Sequence, residues 1–318
     1  MSSFDHEEPV RRSSSHPFTK DSGAREFSLE SQAEMSERSE PDKSVIPKNR
    51  VIKVEVGEVV VFIIIDYTGS MGGDSCILRD KEALLWDQLR NYLGSLLVCM
   101  GGVGDAHGDR YPLQLAGLAR GGAIKDELLK TFVEGKGGSG WRESYELMAY
   151  YLLNNIEVAE AKKSFVFFFA DEGYYDEVSV SQVRKFIGGE AKAIDSIEVF
   201  RKLSEKFNVY LIHRRYADSD ADTMIVDLWS AAIGDDHVLR LQTPNAVVDY
   251  LLGVVALHSG RTLAEYDEDM KKRGQTEERR TEVRLALENL SKVLVFEQAR
   301  APSAEKGAID RSSPGQRL

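Results

Sequence analysis

Three oxygen-bearing side chains stand at alternate positions in one short stretch, Asp66-Tyr67-Thr68-Gly69-Ser70-Met71-Gly72. One carboxylate and two hydroxyls in a tight turn make an oxygen-only donor set. Hard cations such as Mg²⁺ take oxygen ligands at about 2.0–2.1 Å and keep several waters, so a site with few direct protein ligands suits them. A lone aspartate after a strand often serves instead as a helix N-cap. That role would explain Asp66 but not the spacing of Thr68 and Ser70. A second aspartate, Asp171, closes another apolar run, Phe165-Val-Phe-Phe-Phe-Ala170. Its plainer role would be capping or turn formation.

Each carboxylate needs an element to carry it. Val59-Val-Val-Phe-Ile-Ile-Ile65 is continuous and β-branched, the pattern of a strand buried on both faces in a parallel sheet. Phe165–Ala170 reads the same way. Shorter strands are expected at Val51–Val56, Val98–Val103, Tyr111–Leu118, Val209–His213 and His237–Leu241, with Pro112 marking an edge. Helices are expected at Asp80–Leu97, Ile124–Val133, Glu143–Leu153, Ile194–Phe207, Met224–Ile233 and Ala246–His258. Strands alternating with helices predict a doubly wound α/β fold, a mostly parallel central sheet flanked by helices. In such sheets ligands bind outside the carboxyl ends of the strands, where Asp66 and Asp171 fall.

Outside this core the composition shifts. Residues 1–48 are polar and aperiodic, and they are expected to be a disordered tail before a domain over 49–260. Residues 261–299 are dense in charge, with Val283, Leu287, Leu290, Val293 and Leu294 spaced for one amphipathic helix, which would dock on the domain or await a partner. Residues 300–318 read as a second disordered tail.

The net charge is -11, from 41 basic and 52 acidic residues, which argues against nucleic acid as a partner. Two cysteines, Cys76 and Cys99, lack zinc-site spacing and are too few for a disulfide scaffold. No apolar run approaches the roughly 20 residues of a membrane helix, and the N-terminus lacks a signal-peptide core. A cytoplasmic protein with no membrane partner is expected. The glycines at 101–108 do not form a P-loop. His107 and Asp109 are expected at the surface and His213 packed inside, while Trp141, Tyr174, Tyr175, Asp176 and Glu177 are expected around the site.

The Asp66-x-Thr68-x-Ser70 pattern resembles the metal-ion-dependent adhesion site of von Willebrand factor A (vWA) domains, commonly written DxSxS, with Thr68 in place of the first serine. Phe167-Phe-Phe-Ala-Asp171-Glu-Gly173 resembles the later aspartate element of that family, and the resemblance extends over residues 55–260. The family's intervening threonine is missing. Gly137-Gly-Ser-Gly-Trp-Arg-Glu-Ser144 has the loop's glycine-rich character, with Ser139, or else Ser144, as the replacement. The resemblance implies a Rossmann-like three-layer sandwich of the intracellular type. It also implies a Mg²⁺ or Mn²⁺ ion held by Asp66, Thr68, Ser70, Ser139 and Asp171. Such a domain is no enzyme: it captures an Asp or Glu of a partner protein, in assemblies that include complexes with AAA+ ATPases.

Two alternatives remain. Ile65-Asp-Tyr-Thr-Gly-Ser70 is also similar to the first motif of haloacid-dehalogenase-like phosphotransferases, which would make Asp66 a nucleophile, with Asp171 and Asp176 on Mg²⁺ and Lys162 or Lys163 nearby. The missing threonine equally suits a scaffold that binds partners without metal.

Overall fold

Eight consecutive residues, Val59–Asp66, form strand β1, and every one of them is buried. The computed structural model describes residues 39–137 and 140–300. Five more strands join β1: β2 (Leu96–Val103), β3 (Leu113–Leu115), β4 (Phe165–Ala170), β5 (Asn208–Arg214) and β6 (Val238–Leu241). Their order across the sheet is β6-β5-β4-β1-β2-β3. All pairings are parallel except that of β3, which runs antiparallel along β2 at one edge. The chain winds from β1 through β2 to β3 in one direction and from β4 through β5 to β6 in the other. The switch point is therefore the gap between β1 and β4, where the crossover connections leave a crevice at the strands' carboxyl ends. Ile65 pairs with Phe169, so Asp66 and Asp171 leave the sheet almost side by side.

Alternation in β1 divides the core. Val59, Val61, Ile63 and Ile65 face a layer built on helices α1 (Glu82–Leu93) and α6 (Val247–His258). Val60, Phe62 and Ile64 face α3 (Tyr145–Asn155), α4 (Ser196–Lys206) and α5 (Ser219–Ile233). A short helix, α2 (Ala123–Leu128), follows β3. The result is the doubly wound three-layer sandwich that the sequence predicts. Among the described residues, no helix is long and apolar enough to cross a membrane.

Several expected boundaries move. The helix expected at Asp80–Leu97 is interrupted at Lys81, and α1 stops at Leu93. Gly94, with φ +69°, turns the chain, and Leu96 and Leu97 open β2 instead. Leucine suits either period, so the sequence pattern alone could not separate them. Ile194 and Asp195 pair with Glu177–Val178 before α4 begins. The 39–48 segment, assigned to the polar tail, contains a short 3₁₀ turn, Lys43–Val45, with Pro41, Val45 and Pro47 buried. Three apolar residues without a period gave no helical or strand signal. The rest of that tail and the tail from 301 lie outside the described residues.

The charged extension contributes two helices, α7 (Leu263–Lys272) and α8 (Glu277–Arg300), and the sequence showed only the second. Tyr266 and Met270 of α7 and Val283, Leu287 and Leu290 of α8 are buried in the α6 layer. Gly253 of α6 permits this approach, since a Cβ there would meet Leu287 Cδ1 at 2.3 Å. Polar groups seal the seam. Asp249 of α6 accepts from Gln275 Nε2 at 2.7 Å and Arg273 Nη2 at 3.2 Å. Glu282 of α8 accepts the backbone N–H groups of Gln242 and Thr243, at 3.2 and 3.1 Å, just beyond β6. A buried carboxylate is tolerated only with such partners.

If α8 belongs to the core, Leu287→Ala should cost about 2–5 kcal/mol in urea unfolding. A cost below about 1 kcal/mol would show instead that α8 is a loosely held appendage.

Candidate metal centre

The turn after β1 folds on its own carboxylate. Asp66 Oδ1 accepts the Thr68 N–H at 2.7 Å and the Thr68 hydroxyl at 2.5 Å. Asp66 therefore does not cap a helix; it closes an Asx-type turn that sets Thr68 and Ser70. The Tyr145 hydroxyl, at the start of α3, donates to Asp66 Oδ2. Ser70 Oγ lies 3.0 Å from Thr68 Oγ1 and donates to Asp171 Oδ1 at 2.9 Å. Asp66, Thr68, Ser70 and Asp171 thus form one continuous chain of oxygens across the switch point. Asp66 and Asp171 are fully buried, whereas Ser70 is exposed.

The 135–137 segment lies against this turn. Gly69 N–H donates to Lys136 O at 3.0 Å, and Gly135 N–H to Tyr67 O at 3.1 Å. Gly137 has φ +99°, and a Cβ there would sit 3.1 Å from Thr68 Cβ and 2.7 Å from Glu143 Oε1. Glycine is required on both counts. Ser139 lies outside the described residues. Ser144 does not join the chain: it is buried, and its hydroxyl accepts from Ala106 N–H at 2.9 Å on a neighbouring loop.

Burial dominates the electrostatics. Desolvation, reinforced by the charge of Asp171, pushes the Asp66 carboxyl up from its ordinary range to about 8. Asp171 is raised by burial as well, although Ser70 and Arg214 hold it back. Burial also lifts Glu172 to about 7, with the charges of Asp171 and Asp105 adding to the rise. Glu146, wholly buried in the first turn of α3, rises to about 8 for the same reason. Among the described residues, no three His, Cys, Asp or Glu side chains are grouped to hold a metal. Hydroxyls must therefore supply part of any donor set here.

The hydroxyl hydrogens give a direct test of fit. A hydroxyl has one hydrogen and two lone pairs. If Thr68 gives its hydrogen to Asp66 and Ser70 gives its own to Asp171, none remains for the 3.0 Å gap between them. Once both carboxyl groups are ionised, the two oxygens face each other with lone pairs only. A hard cation fits that donor set.

Around the rim, Tyr175 is half-buried, packs at a 57° tilt against His107 with ring centroids 4.6 Å apart, and donates to Asp105 Oδ1 at 3.2 Å. Half-buried Trp141 carries the Arg142 guanidinium 4.7 Å from its ring, and Arg142 pairs with exposed Asp176 at 2.9 Å. Tyr174 is not at the rim, contrary to expectation. Gly173–Tyr174 pairs with Arg142–Glu143, and that register turns the Tyr174 ring into the core against Phe200 and Trp229. Glu177 is exposed in its short strand. Asp109, expected at the surface, is buried because its Oδ2 accepts the Asp105 N–H at 2.8 Å. His107 is exposed and His213 is packed, as expected.

No family model matches the chain, and no curated protein matches it in sequence. Solved structures do match. The fold resembles structures that include von Willebrand factor A domains. The pilus adhesin SpaC from Lactobacillus rhamnosus GG is 12% identical over 68% of this chain, with a TM-score of 0.45. A von Willebrand factor type A protein from Catenulispora acidiphila is 14% identical over 64% of the chain, with a TM-score of 0.38. The chain covers 34% of the adhesin and 43% of the Catenulispora protein. The SpRpn10 VWA domain is 15% identical over 60% of this chain and is covered to 94% of its own length, with a TM-score of 0.35.

The phosphotransferase pattern finds its parts apart. Lys162 donates to Ser204 O at 2.9 Å and Lys163 pairs with Glu160 at 3.1 Å, both just ahead of β4. The strand length, roughly 20 Å at 3.3 Å per residue, separates them from the carboxyl-end crevice. Sequence reasoning missed Tyr145, Glu143, Glu172 and Arg214. Only Glu172, next to Asp171, carried a signal.

The raised carboxyls fix a sign. The folded state holds protons that the unfolded chain has released, so metal-free stability should fall as pH rises from about 4 towards 8. The slope is at most about 1.4 kcal/mol per pH unit for each group. Thermal unfolding in EDTA at pH 6 and pH 8 checks this, and a higher melting temperature at pH 8 would contradict it.

Proposed function

We propose that this chain is a protein-interaction module that holds a divalent cation, Mg²⁺ or Mn²⁺, and through it captures an Asp or Glu side chain of a partner protein. The observation that carries the reading is the unbroken run of oxygens from Asp66 through Thr68 Oγ1 and Ser70 Oγ, 3.0 Å apart, to Asp171, with both carboxyl groups buried. Asp66, Thr68, Ser70 and Asp171 would hold the ion, with Ser139 as the candidate for a further hydroxyl. When bound, the ion supplies an electrophilic position for an incoming carboxylate. Asp66 is fully buried with both oxygens engaged, which suits a ligand or anchor better than a nucleophile. The module is therefore not an enzyme in this reading.

The partner meets exposed Ser70 first, then the aromatic and basic rim of Trp141, Arg142 and Tyr175. Half-buried aromatic and arginine side chains are the residue types that anchor protein interfaces. The acidic balance of the chain and its two buried thiols support a cytoplasmic setting, within an assembly of the kind the vWA resemblance implies, AAA+ ATPase complexes among them.

Asp66→Asn tests the reading with two opposite shifts. It removes a buried charge at almost constant shape, so in EDTA at pH 8 the variant should melt higher than the parent. It should also lose the stabilisation by MgCl₂ or MnCl₂, which for the parent is about 2.7 kcal/mol at one hundred times the dissociation constant. A parent protein indifferent to millimolar metal would end the metal claim.

A further inference from the structure

Arg214 ends β5 and reaches across the crevice. Its Nη1 donates to Asp171 Oδ2 at 2.9 Å, and its Nε donates to Asp74 Oδ2, also at 2.9 Å. Ser70 occupies the other Asp171 oxygen. Both oxygens of Asp171 are thus committed, one of them to a guanidinium. Asp66 differs, because its hydrogen-bond partners, Thr68 and Tyr145, are neutral. Of the two carboxylates at the switch point, Arg214 is therefore seated on Asp171 and not on Asp66.

Asp74 follows the Gly72 turn and is about as open to solvent as Arg214, at 26% against 29% for the side chains. The guanidinium has five N–H donors in a rigid fork and can keep one carboxylate while leaving another. Asp74 gives it a place to stay when Asp171 is needed elsewhere.

We propose that Arg214 is a positioning residue that serves as the resident counter-cation of this site: it holds Asp171 while the divalent ion is absent, withdraws towards Asp74 when the ion arrives, and so sets the ion concentration at which the site loads. The inference rests on the metal-dependent reading above. A divalent ion and a guanidinium on one poorly solvated carboxylate repel each other. The ion must therefore displace the arginine or bind against its charge. A loading threshold follows from an ion pair built into the fold.

The test is calorimetric titration of the chelator-treated full chain with MnCl₂, together with thermal unfolding in EDTA. Arg214→Gln should bind Mn²⁺ about tenfold more tightly than the parent and should melt lower without metal. Asp74→Asn should move affinity the other way, weakening it several-fold, because the displaced guanidinium has lost its second seat. Arg214→Lys, which keeps a point charge without the fork, should fall between the parent and Arg214→Gln, and it carries the test if the glutamine variant does not fold. Unchanged or weaker Mn²⁺ binding in Arg214→Gln, with a parent that binds, would overturn the proposal and leave the metal reading intact. Absence of Mn²⁺ binding in the parent and all variants would overturn the metal reading and this proposal with it.

Discussion

Two carboxylates placed close together out of water govern this structure. Ionised carboxylates in a poorly solvated crevice must gain compensating donors, gain a cation, or take up protons. The molecule uses all three means around Asp66 and Asp171. Thr68, Ser70 and Tyr145 give hydrogen bonds, Arg214 gives charge to one of the two, and the raised carboxyl of Asp66 retains a proton near neutrality. The arrangement is costly for a merely structural purpose, because apolar side chains of similar volume would fill the same space at least as stably.

The sheet accounts for the placement. Eight buried residues of β1 and six of β4 run parallel into the switch point, and each strand is followed by the aspartate-bearing turn. Helices on both faces make the strands rigid along their length and leave only their tips open. The rigidity extends to the C-terminal helices: Glu282 holds the backbone just past β6, so the extension packs against the same end of the sheet that carries the site.

Much of this was legible in the sequence, for a physical reason. A strand buried on both faces tolerates only apolar, mostly β-branched or aromatic residues, so Val59–Ile65 and Phe165–Ala170 announced themselves, and β4 has the predicted ends. The chain Asp66, Thr68, Ser70 was legible because one turn contains it. Arg214 and Tyr145 were not, since they reach the same carboxylates from a distant strand and helix, and nothing local marks them. The Tyr174 expectation failed on pairing register: residues adjacent in sequence point to opposite sides, so Tyr175 took the rim and Tyr174 the core. Charge density hid α7, whose buried face rests on Tyr266, Asp267 and Met270.

The sheet's margins bear on how the molecule can meet others. Its two outermost strands are β3, with three residues, and β6, with four, while the long strands lie inside. Unpaired backbone along a long outer strand would be a template for another chain to zip onto. Here either margin offers only a few free amides and carbonyls. Lateral growth of the sheet, from one copy to the next, is correspondingly disfavoured, and encounters are turned from the flanks towards the tips of the strands.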